Sequence, residues 1–117
     1  MSQFSEEGAQ SLIRVFPYVK ESVLFAHEIA YTLGQMKQEI AIDFLIENLN
    51  NEENSPVVRH ECGEALANFP EHKEKVLPVL VYWKDSEIPI VRSTIRLAVR
   101  KLEEFHSKAR YAKFNLS

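Results

Sequence analysis

The sequence predicts an all-α fold, a HEAT-like α-solenoid of about three helix pairs, on three observations. β-branched alternation is nearly absent, and only three glycines and five prolines interrupt the 117 residues. One segment recurs at a fixed interval: Leu24-Phe25-Ala26-His27-Glu28-Ile29-Ala30-Tyr31-Thr32-Leu33 returns 33 residues later as Val57-Val58-Arg59-His60-Glu61-Cys62-Gly63-Glu64-Ala65-Leu66. The same shift lands on Ile90-Val91-Arg92-Ser93-Thr94-Ile95-Arg96-Leu97-Ala98-Val99. Pro56 and Pro89 stand just ahead of the second and third copies, where a proline opens a helix.

Each copy is preceded by a second apolar-periodic segment, roughly Glu7 to Phe16, Ile40 to Leu49 and Lys73 to Trp83. The last two are related through Ile42-Asp43-Phe44-Leu45 and Leu77-Pro78-Val79-Leu80. Three helix pairs at a constant period are the signature of a HEAT-type solenoid. The chain is therefore expected to be one domain over 1–117, with repeats at about 5–37, 38–70 and 71–107. A tail follows at 108–117, carrying Tyr111 and Phe114. Gly34 reads as a helix-end residue.

Helical geometry assigns the faces. In the second copy Val58, Cys62, Ala65, Leu66 and Phe69 form one apolar stripe, and in the third Val91, Ile95, Ala98, Val99 and Leu102 do. The first copy repeats it with Phe25, Ile29, Thr32, Leu33 and Met36. At 100° per residue, His60 lies about 180° from the middle of its stripe and Glu61 about 80°. The His-Glu pairs are thus expected to face away from the core. Ser93-Thr94 replaces His-Glu in the third copy, which reads as a capping repeat.

Composition narrows the function. A formal charge of −3 argues against a nucleic-acid binder. No apolar run approaches the ~20 residues of a membrane span. Met1 to Glu7 holds two acids and no base, unlike a secretory signal. The single cysteine, Cys62, excludes an internal disulfide and is expected to be a buried thiol. The expected setting is the cytoplasm.

Two His-Glu dipeptides in register are the informative feature, since chance gives such a pair at a fixed position about once in two hundred. Equivalent histidines on adjacent helices, 8–10 Å apart in a stack, can converge on one ion. Imidazole and carboxylate without thiolate suit iron, manganese or zinc, and open positions on such a site suit iron and O₂ chemistry. No HExxH zinc-protease motif is present, because position 31 is Tyr and position 64 is Glu. The bland alternative is a duplicated polar pair on a solvated face.

His27-Glu28-Ile29-Ala30-Tyr31-Thr32-Leu33-Gly34-Gln35-Met36 and Val57 to Leu66 resemble the paired His-Glu repeats of deoxyhypusine hydroxylase, a family of HEAT-repeat di-iron monooxygenases that completes hypusine on translation factor 5A. The resemblance runs from about Leu24 to the C-terminus and is nearest the family's C-terminal half. It implies His27, Glu28, His60 and Glu61 as metal-site residues, with no catalytic residue beyond them, and Glu64 as a partner for the cationic substrate side chain. Family members carry two such halves and four His-Glu motifs; this chain carries one half. Two histidines per iron require four, so a homodimer or a complementary half-chain is expected to share the di-iron site. A fragment that has lost activity is the other outcome.

The competing class is a non-catalytic HEAT-repeat protein-interaction scaffold. Arg92, Arg96 and Arg100 share a helix face; a phosphate ridge is conceivable, but a solvated face pairing with Glu87, Glu103 and Glu104 is expected. His72 and His106 lack repeat partners and read as surface residues.

Overall fold

The computed structural model describes the backbone of residues 3–115 and the side chains of residues 5–105. Its six α-helices are α1 (Gln3–Val19), α2 (Val23–Met36), α3 (Ala41–Asn50), α4 (Pro56–Leu66), α5 (Lys73–Trp83) and α6 (Pro89–Asn115), with a 3₁₀ turn at Pro70–His72 before α5. No strand occurs among the described residues. Helices α1, α3 and α5 form an outer layer over the inner row α2, α4 and α6, giving the predicted all-α solenoid.

Local chemistry sets the helix ends. Ser22 caps α2 by accepting from the Phe25 amide at 3.5 Å, and Ser55 caps α4 from the Val58 amide at 3.2 Å. Pro56 and Pro89 occupy first turns, where their missing N–H costs nothing. Helix α2 ends at Lys37, which takes the left-handed conformation (φ 53°). Gly34 is therefore not the helix end expected from sequence but a buried residue inside α2. Helix α6 runs without a break to Asn115, into the segment expected as a tail after the third repeat. The side chains of His106, Tyr111 and Phe114 lie outside the described residues.

The core fills the space between the layers with Leu33, Leu45, Leu49, Leu66, Leu80 and Ile95, all fully enclosed. The stripes of the second and third copies are buried as expected, with Val99 only partly so. The first copy differs. Phe25 is 59% exposed whereas its equivalents Val58 and Val91 are 3% and 0% exposed. Glu61 and Ala65 of α4, with Asn68 in the turn after it, contact α2, and Thr94 and Lys101 of α6 contact the preceding repeat; Val58, Val91 and Ala98 lie three or four residues from these on the same helix faces. The corresponding face of α2 has no inner helix ahead of it among the described residues, so Phe25 stays open and the buried stripe rotates to Ala26, Ile29, Ala30 and Leu33.

Arginines tie the hairpins together. Arg59, 1% exposed, donates from Nε to the Leu49 carbonyl at 2.9 Å and stacks 4.5 Å above the Trp83 ring, whose indole N–H reaches Asn50 at 2.7 Å. It satisfies a carbonyl at the end of α3 that the helix leaves unpaired. Its repeat equivalent Arg92 donates to the Ser86 carbonyl at 2.8 Å. Arg96 reaches the Lys84 carbonyl at 2.8 Å and Asp85 at 2.9 Å. These two side chains are thus committed to the loop after α5; their partners are loop carbonyls and Asp85 rather than the glutamates expected.

Cys62 is buried, and desolvation pushes its thiol up to about 12, with Glu61 adding to the effect and Arg59 opposing it. The native chain should therefore not react with a thiol reagent at mildly alkaline pH until denaturant is added; stoichiometric labelling of the folded protein would contradict this burial. Arg59→Ala should lower the unfolding free energy by about 2–4 kcal/mol in urea titrations, through a cavity and an orphaned carbonyl.

Candidate metal centre

The site grows from the way one inner helix meets the next. Repeat equivalents are 33 residues apart, yet three polar contacts across the inner row connect residues one further on. His27 pairs with Glu61, Gly34 with Asn68, and His60 with Thr94, each 34 apart. Helices α2 and α4 thus each offer a histidine to the inner helix after them, and α4 and α6 each offer a polar side chain to the one before.

At the seam between α2 and α4, His27 Nε2 lies 2.9 Å from Glu61 Oε2, and His60 Nε2 lies 3.4 Å from the same oxygen. One donor atom from each of His27, His60 and Glu61 falls within 4.8 Å of the other two. Glu61 is only 4% exposed, which corrects the expectation that both members of each dipeptide face away from the core. The 80° angle from the stripe clears the outer layer but points straight into the neighbouring inner helix, a second buried surface that a single helical wheel does not contain. Burial raises the pKa of Glu61, with Glu64 adding to the rise and His27 and His60 pulling it down.

The outer ring nitrogens are held as well. His60 Nδ1 is 2.6 Å from Thr94 Oγ1; a metal on Nε2 would take that lone pair and leave Nδ1 protonated, donating to the hydroxyl. Glu28 does not join the trio. Its carboxylate, 59% exposed, sits 3.6 Å from His27 Nδ1 on the open face of α2. Glu64, 62% exposed, stands 4.0 Å from His60 Nε2 at the rim. Of the residues singled out in the sequence, the fold brings His27, His60 and Glu61 together and leaves Glu28 and Glu64 as flanking carboxylates. Thr94 was passed over as a capping substitution; the 33-residue shift that places it at the position of Glu61 was the signal for its role.

A first-row ion binds imidazole and carboxylate at about 2.0–2.2 Å, which sets neighbouring donors about 3–4 Å apart. The trio needs only a small contraction to reach that spacing, and two borderline nitrogens with one hard oxygen suit iron, manganese or zinc. Three ligands leave open positions. Two shallow cavities flank them: about 260 Å³ beside His60, Thr94 and Leu97, and about 110 Å³ beside Tyr31, Glu61 and Asn68, with Glu64 and Lys101 lining both. A larger groove of about 850 Å³ along Pro70–Val81 shares no residue with the cluster, and its histidine, His72, faces Glu39 at 3.9 Å.

Comparison with known proteins agrees with this architecture. Residues 25–51 match the family model described as PBS lyase HEAT-like repeat. The chain is 43% identical over 86 residues to deoxyhypusine hydroxylase of Danio rerio, 74% of this chain and 28% of that protein. It is 41% identical over 83 residues to the Homo sapiens protein of the same name, 71% of this chain and 27% of that one. The structure of human deoxyhypusine hydroxylase in complex with glycerol superposes with a TM-score of 0.79 and 36% identity, covering 86% of this chain and 34% of the human chain. The chain therefore resembles part of a deoxyhypusine hydroxylase and spans between about a quarter and a third of the relatives it matches.

Thr94→Val removes the oxygen against His60 Nδ1 at almost constant volume. Metal affinity should fall about 10- to 100-fold in calorimetric titration, with helicity unchanged. An unaltered affinity would mean that Thr94 does not orient the ring.

Proposed function

We propose that the chain is a half-length, deoxyhypusine hydroxylase-like protein that binds iron through its paired His-Glu motifs. Assembled with a second copy or a complementary half, it uses O₂ to hydroxylate the deoxyhypusine side chain of translation factor 5A in the cytoplasm. The observation that carries this reading is the trio of His27, His60 and Glu61 at one inner-helix seam, within 4.8 Å, in a chain similar over most of its length to enzymes of that name.

Each residue then has a task. His27 and His60 would hold the ion through Nε2 and Glu61 through Oε2. Thr94 fixes the outer nitrogen of His60, while Glu28, exposed 3.6 Å from that of His27, is free to reach a second ion across an interface. Glu64 is exposed beside His60 and suits the ammonium of a polyamine-like side chain, steering it by charge over a few ångströms. Bound iron would supply the redox chemistry that activates O₂, while the protein contributes ligands, open positions and orientation.

Ligand arithmetic favours a shared site. One chain provides two histidines at the seam, whereas two irons with two imidazoles each need four. The surface around the cluster also invites a facing partner. Leu24, Val57 and Ile90, repeat equivalents on three successive inner helices, are 67%, 39% and 40% exposed and form an apolar row beside the histidines. Tyr31 and Leu97, 48% and 61% exposed, border the other side. A second molecule seated on those rows would exclude water from the ions and add its own histidines.

Metal analysis together with mass measurement in solution tests the reading. The expected result is a dimer holding one iron per chain that adds one oxygen atom to deoxyhypusine on translation factor 5A. His60→Ala should keep its helicity and lose the iron. A protein that remains metal-free and monomeric after anaerobic loading with ferrous iron would overturn the proposal.

A further inference from the structure

We propose that Gly34 is a positioning residue for the metal site, keeping α2 and α4 close enough for two histidines to share Glu61. The proposal rests on the metal-binding reading above and extends it to a residue two helical turns from the ligands.

Gly34 follows His27 by seven residues, so it lies about 20° from it on the same face of α2. Ala65 follows Glu61 by four on the face of α4 that meets α2, and Asn68 follows by seven in the turn after that helix. One seam thus carries ligands at one end and Gly34 against Ala65 at the other. A Cβ on Gly34 would lie 2.7 Å from Ala65 Cβ, 3.0 Å from Ala65 Cα and 3.2 Å from Asn68 Nδ2. The obstacle is backbone and a rigid methyl, so the helices themselves would have to separate. Gly63 differs: a Cβ there would meet the tip of the Ile95 side chain at 2.5 Å, an obstacle that can rotate away.

Conformation does not call for glycine here. No glycine of the chain has positive φ, and alanine is the better helix former, so the missing side chain serves the contact. Asn68 closes the same end of the seam, donating to the Gly34 carbonyl at 3.1 Å and accepting from Lys101 Nζ at 2.8 Å, which links α2, the turn after α4 and α6. A wedge at Gly34 would lever open the ligand end, where His27 and Glu61 meet at 2.9 Å.

Gly34→Ala in the full chain tests this with Co(II) as the probe. Absorption titration should give at least about tenfold weaker Co(II) binding and an altered visible band, with far-ultraviolet circular dichroism unchanged. Adding Ala65→Gly should recover part of the affinity, because it removes the nearer obstacle. A crystal structure of metal-free Gly34→Ala should show His27 and Glu61 beyond hydrogen-bond distance. Wild-type affinity in Gly34→Ala, or an intact His27–Glu61 contact in that crystal, would overturn the proposal. Should wild-type protein bind no Co(II), the metal reading falls, and the crystal comparison still decides whether Gly34 sets the seam. If Gly34→Ala does not fold, Ala65→Val crowds the same seam from α4. It must weaken Co(II) binding and lengthen the contact, or the inference fails.

Discussion

A carboxylate held almost entirely out of water, with two imidazoles within reach of one oxygen, is the interaction on which this structure turns. Burying Glu61 is costly unless something answers its charge. Hydrophobic layers explain why the helices stack, but not why the seam between α2 and α4 should carry an ionisable group. Bound metal would resolve that tension, since it replaces lost hydration with direct coordination. In its absence the imidazole N–H groups of His27 and His60 are the donors at hand, and burial still leaves the carboxyl above its ordinary pKa.

The two seams of the inner row show how one backbone plan is turned to different ends. Between α4 and α6 the position of Glu61 is taken by Thr94, which meets His60 at its outer nitrogen. Between α2 and α4 the acid meets His27 at Nε2. The polar side chain projecting backward is thus a ligand candidate at one seam and a ring-orienting hydroxyl at the next. His60 takes part in both, so the third repeat contributes to the site although it has no His-Glu pair.

Much of this was legible in the sequence because it is periodic. The 33-residue shift exposed the helix pairs, the opening prolines and the two dipeptides, and the stripes of the second and third copies follow from angular spacing alone. Features that depend on a neighbouring helix were not legible. The wheel that put Phe25 in the core assumed a repeat ahead of it, and the one that put Glu61 on the outside omitted the seam. Gly34 was taken for a helix end because glycine often ends helices, whereas its reason is Ala65, 31 residues away. Arg96 was assigned to Glu87, Glu103 and Glu104, while the Lys84 carbonyl and the Asp85 carboxylate that hold it lie in the preceding loop.

The offset of 34 that joins His27 to Glu61 and His60 to Thr94 has an evolutionary corollary. Insertions and deletions in the exposed stretch 51–53 leave the inner helices free to settle into the same alignment, so length drift there is cheap. One residue gained or lost within α4 between Glu61 and Ala65 would preserve hydrophobic content yet turn everything beyond it by about 100°. Descendants of this gene should therefore vary freely in loop length while inheriting the stretch from His60 to Asn68 as one indivisible block.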